Sequence, residues 1–143
     1  MNMRQMADPK HWSKAEEIFL LGFRLLVGGF LVWGVWDNVI SSDRMAEFSR
    51  FLASQGFVYP DLLAPVSVYA QLVCGIGILL GLMTRWLGVV CAVNFLVALI
   101  MVDAQGGFRQ AFPAAMLIMF GLYVASRGAG RYSIDAVLWK TPE

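Results

Sequence analysis

Long apolar runs separated by short polar breaks set the pattern of this chain. They extend over Ile18–Ile40, Leu62–Met83, Trp86–Val102 and Phe108–Ser126. A helix needs roughly 20 apolar residues to cross about 30 Å of hydrocarbon, and each run is near that length. Only helices and closed barrels satisfy their backbone in lipid. Barrel strands alternate polar and apolar positions over about 10 residues, and these runs do not alternate. A soluble bundle would need polar outer faces, and Leu79–Leu82 and Phe95–Val102 offer none. The pattern predicts an all-α, integral membrane four-helix bundle over residues 18–126, with an N-terminal arm at 1–17 and a C-terminal tail at 127–143.

The breaks between the runs carry their own information. In Ser41–Asp61, apolar Met45, Phe48, Phe51 and Leu52 fall at helical spacing among Asp43, Glu47 and Arg50. This predicts a short amphipathic helix, either lying on the membrane face or packed on the bundle mouth. In both cases it could cover an outward-facing cavity. Met83-Thr84-Arg85 is so short a turn that its flanking helices must be antiparallel neighbours. Gly77 with Gly81, Gly88 with Ala92, and Gly121 with Ala125 mark helix contacts by their four-residue spacing. The first run is too long for a signal-peptide core and has no small-x-small cleavage site.

The composition agrees. Apolar residues make up 59% of the chain and its mean hydropathy is +0.65, against about 45–50% apolar residues in soluble domains. The 11 basic and 10 acidic residues give no nucleic-acid footprint, so the bilayer is the first partner. Arg4, Lys10, Lys14, Arg85, Arg127, Arg131 and Lys140 lie on one side of the four spans, and Arg44, Arg50 and Arg109 on the other. Basic residues favour the cytoplasm. Both termini are therefore expected there, with the amphipathic loop in the periplasm of a bacterial inner membrane.

Polar groups inside the spans are costly and point to partners or purpose. Arg24, Asp37, Asn38, Gln71 and Asn94 occupy the runs, and Asp103 and Arg109 flank the last turn. In one reading, Gln71 and Asn94 are interhelical hydrogen-bond glue worth about 0.6–2 kcal/mol each, and Asp37 merely ends a helix in water. In the other, Asp37, Gln71 and Asn94 line an outward polar pocket, with Trp33, Trp36 and Tyr69 walling a ring-shaped ligand and Asp37 accepting a proton beside a quinone. Arg24 is expected to form an intramembrane ion pair, with Asp135 first and Glu17 second as its partner.

Other chemistry is thinner. His11, the lone histidine, lies in the N-terminal arm, so no span carries a haem ligand. Trp12 suits an interface anchor. Cys74 and Cys91 form no C-x-x-C motif and read as small packing residues. Met116 and Met119 share a helix face and read as core rather than as a copper site. No metal site, phosphate loop or nucleophile–base pair is visible. Apart from a quinone, no cofactor is indicated, and no catalytic residue can be named.

Four segments in order resemble the DoxX family of small four-helix membrane proteins. They are Phe23-Arg24-Leu25-Leu26-Val27-Gly28 with Trp33-Gly34, then Phe51-Leu52-Ala53-Ser54-Gln55-Gly56-Phe57, then Leu80-Gly81-Leu82-Met83-Thr84-Arg85, and finally Gly128-Ala129-Gly130-Arg131-Tyr132-Ser133-Ile134-Asp135. The resemblance implies a bacterial inner-membrane protein, some of whose relatives are associated with thiosulfate:quinone oxidoreductase or thiol-redox complexes. Many members carry Lys and Glu where this chain has Asp37 and Gln71, so a mechanism built on that pair does not carry over. The expectation is an accessory or quinone-facing subunit of a membrane redox complex, with other subunits or further copies of itself as partners. The rivals are a non-enzymatic scaffold that stabilises a partner and a small transporter.

Overall fold

A computed structural model describes residues 9–139, and side chains from residue 14 to residue 139. The roles expected of the His11 and Trp12 side chains lie outside the described residues. The chain runs through α1 (Pro9–Ile40), α2 (Ser42–Ser54), α3 (Pro60–Leu80), α4 (Thr84–Met101), a 3-10 turn (Asp103–Gly106), α5 (Phe108–Arg127) and a short α6 (Ile134–Leu138). Helix α1 begins at Pro9, so residues 9–17 of the expected arm continue the first span as helix.

Four of these helices are long and apolar enough to cross a membrane: α1 from Lys14, α3, α4 and α5. Their outward faces remain apolar. Leu26, Phe30, Ile100 and Met119 are each more than half exposed, an arrangement that water would penalise and hydrocarbon accepts. Met116 and Met119 are on this outer surface, not in the core, because their stretch of α5 turns Leu117, Phe120 and Val124 inward instead.

The spans pack in sequence, α1 on α3, α3 on α4 and α4 on α5. Where the helices come closest, glycines let backbone meet backbone. A Cβ added to Gly88 would lie 2.5 Å from the Gly121 carbonyl oxygen, and one added to Gly121 would lie 2.6 Å from that of Gly88. The spacing of Gly88 with Ala92 and of Gly121 with Ala125 marks this seam, since the Ala92 and Ala125 backbones complete the contact. Gly28 and Gly75 form the equivalent approach between α1 and α3. Phe23 stacks with Phe120 at 6.4 Å, drawing α5 towards α1. Cys74 and Cys91 are buried free thiols within the core cluster, and Cys74 Sγ donates to the Leu87 carbonyl at 3.4 Å.

Helix α2 packs on the bundle mouth. Its buried Leu52 and Ser49 face the bundle, and the Ser49 hydroxyl donates to the Asp61 carboxylate at the start of α3. This contact fixes one end of the molecule, the loop end. The other end, which holds the start of α1, the α3–α4 turn and residues 128–139, is the joint end.

Candidate functional site

The α3–α4 turn holds those helices together at the joint end, where Leu87 packs over Gly77. Towards the loop end they leave a cavity of about 730 Å³ between them, inside the roughly 300–1,000 Å³ range of small-molecule sites. Its walls are mainly apolar, with Val66 and Ala70 from α3 and Val90, Val93 and Ala98 from α4. Phe48, Phe51 and Leu52 of α2 and the following Phe57 close its upper side. The amphipathic helix thus does overhang a cavity.

A few polar groups converge within these walls. The Ser67 hydroxyl donates to Asn94 Oδ1 at 2.9 Å, tying α3 to α4 across the cavity. The Asn94 amide nitrogen has no hydrogen-bond partner among the described residues. Gln71 also lines the cavity, and its Nε2 reaches the Leu31 carbonyl only at 3.5 Å, the limit of a hydrogen bond. Asp103 and Gln110 line the cavity as well. Gln110 folds over Gly106, where a side chain would collide with it.

Of the six residues expected to form one pocket, Gln71 and Asn94 come together in this cavity and the other four do not line it. Asp37 is exposed at the end of α1, where its carboxylate accepts the Asn38 backbone N–H at 3.0 Å. Trp33, Trp36 and Tyr69 are 80%, 50% and 50% exposed on the lipid-facing surface. Their depth in the membrane suits the pocket, but their direction around the helix axis does not. Asp103, one of the polar residues singled out in the sequence, does line the cavity, whereas Ser67 and Gln110 were not anticipated. Ser67 stands one helical turn before Gln71, a spacing that places both on the same face of α3.

The joint end collects the other polar residues. Arg24 is 1% exposed, and its guanidinium donates to four carbonyls: Ile78 at 2.9 Å from Nε, Ala129 at 2.7 Å and Tyr132 at 2.8 Å from Nη1, and Leu79 at 3.2 Å from Nη2. The last four carbonyls of a helix lack intrahelical partners and carry the negative end of its dipole. Ile78 and Leu79 belong to that set in α3. The direct ion pair expected between Arg24 and Asp135 is not formed. The Asp135 carboxylate instead accepts the Met83 and Thr84 backbone N–H groups at 2.8 and 3.0 Å, capping the start of α4. Glu17, the second expected partner, takes Arg127 at 2.8 Å and the Arg131 backbone N–H at 2.6 Å. At Gly81, with φ of +69°, a side chain would collide with both Arg24 and Ser133.

Three of the four segments singled out in the sequence therefore meet at this one joint, and the fourth supplies the cavity's overhang. A family model, DoxX, matches residues 19–104. The chain belongs to the DoxX family. Neither curated proteins nor solved structures give a match. With four membrane-crossing helices, this DoxX chain is a multi-pass membrane protein. The matched stretch takes in Arg24, the α3–α4 turn, Gln71 and Asn94, and it stops before Asp135. Among the described residues no group of His, Cys, Asp or Glu could hold a metal ion.

Proposed function

We propose that this DoxX-family chain is an accessory, quinone- or substrate-facing subunit of a redox complex in a bacterial inner membrane. One observation carries the reading. The α3–α4 cavity has apolar walls, an overhanging aromatic helix and a small polar patch at Ser67, Asn94 and Gln71. That combination suits a lipid-soluble molecule with a flat polar head. Apolar side chains enclose the ring and tail, and the unpartnered Asn94 amide nitrogen donates to a carbonyl oxygen of the head. In this reading a partner subunit supplies the electrons and this chain holds the quinone.

The seven-to-three distribution of basic residues supports an orientation with both termini in the cytoplasm and the cavity opening towards the periplasmic half. The test is titration of the detergent-purified protein with a short-chain quinone analogue, read as a saturable rise in unfolding temperature. Asn94→Leu should abolish the rise and Asp37→Asn should leave it intact. No saturable rise in the wild type would remove the quinone reading and favour the scaffold.

A further inference from the structure

We propose that the joint end carries a second site, a basic pocket that binds the phosphate of an anionic phospholipid. A cavity of about 650 Å³ opens there between the α3–α4 turn and the chain after α5. Arg85, Arg127 and Arg131 line it together with the Glu17 and Asp135 carboxylates, and so do Trp86 and Trp139, 72% and 79% exposed. Tryptophan prefers the depth of lipid headgroups, and basic pockets beside membrane helices suit phosphates.

The balance of partners singles out Arg85 and Arg131. Among the described residues, the carboxylates at this end are already engaged within the protein. Glu16 takes Arg127, Glu17 takes Arg127 and the Arg131 backbone, and Asp135 caps α4. The guanidinium groups of Arg85 and Arg131 make no hydrogen bond or ion pair among the described residues. Arg85 lies against the Gly128 turn, with Nε 3.4 Å from where a Cβ there would stand, so the tail holds it over the cavity. Behind the wall at Ala129, whose carbonyl it binds, Arg24 is a buried cation whose hydrogen bonds go only to neutral carbonyls. The pocket thus has two spare donors in front of a buried positive charge, and its geometry calls for an anion. Its position beside apolar outer helix faces makes that anion a lipid headgroup with its acyl chains along α4.

The experiment uses the full-length protein in mild detergent, titrated with phosphatidylglycerol or phosphatidylcholine and read by native mass spectrometry. At about 1 kcal/mol for each basic residue near the headgroups, Arg85→Gln with Arg131→Gln should weaken phosphatidylglycerol binding roughly 30-fold. Each single variant should weaken it about fivefold, which keeps the test open if the pair folds poorly. Arg50→Gln with Arg109→Gln, an equal charge loss at the loop end, should leave the preference unchanged. Glycerol 3-phosphate at equal concentration should not displace the lipid. Equal binding of the two lipids by the wild type, an undiminished preference in the Arg85 and Arg131 variants, or displacement by glycerol 3-phosphate would each overturn the lipid assignment.

Discussion

Arg24 and Asp135 grip the same turn from opposite sides without touching. Arg24 holds the carbonyls that end α3, and Asp135 holds the amides that begin α4. A turn as short as Gly81–Met83 exposes both sets at once, the acceptor end of one helix dipole beside the donor end of the next. A cation and an anion are each served better by those backbone groups than by one another. The Asp135 backbone N–H also donates to the Gly81 carbonyl at 2.9 Å, so the tail adds a third tie.

Replacing Arg24 should therefore be the costliest change at the joint. Arg24→Leu leaves the Ala129 and Tyr132 carbonyls without this donor and should destabilise the protein by about 3–5 kcal/mol. Arg24→Lys should rescue little, since one ammonium cannot reach four carbonyls on two chain segments as a planar fork does. Asp135→Ala should cost about 1–2 kcal/mol, the size of a lost helix cap. Because both residues act on one turn, the double variant should depart from additivity by about 1 kcal/mol. Denaturant titration in detergent micelles measures all four. Strict additivity would mean that the turn is not shared.

The glycine seam gives an independent stability prediction. Gly88→Val and Gly121→Val should each push α4 and α5 apart and cost about 1–3 kcal/mol, the range for overpacking. Gly22→Val, where an added Cβ meets nothing within 4 Å, should cost far less. Thermal unfolding of the three variants ranks them, and equal losses would show that α4 and α5 do not meet at this seam.

Orientation has a direct readout. Periplasm-active reporters fused at either terminus should be silent, and the same reporter inserted beside Gly56 should be active. The opposite pattern would invert the topology and turn the α3–α4 cavity towards the cytoplasm.

Much of this arrangement was legible in the sequence, and what was not has one geometric cause. Run lengths predict the spans, and the spacing of Met45, Phe48, Phe51 and Leu52 predicts α2. Gln71 and Asn94 stand out because an amide in hydrocarbon needs a reason. Depth along a helix can be read from position in a run, but direction around the axis depends on which neighbour each face meets. Trp33, Trp36, Asp37 and Tyr69 sit at suitable depth and point elsewhere. Arg24 was recognisable as needing partners, but the residue types alone favour a carboxylate. Backbone carbonyls carry no sequence signature, and only the position of the α3 terminus brings them to Arg24.

The cavity is the central claim, and photo-crosslinking tests it most directly. An azido-quinone analogue added to detergent-solubilised protein and activated by light should label peptides containing Val66–Gln71 and Val90–Ala98. Excess unlabelled quinone should suppress the labelling, and Asn94→Leu should abolish it. Labelling spread over the lipid-facing surfaces of α1 and α5, undiminished by competitor and unchanged in Asn94→Leu, would contradict a quinone site between α3 and α4.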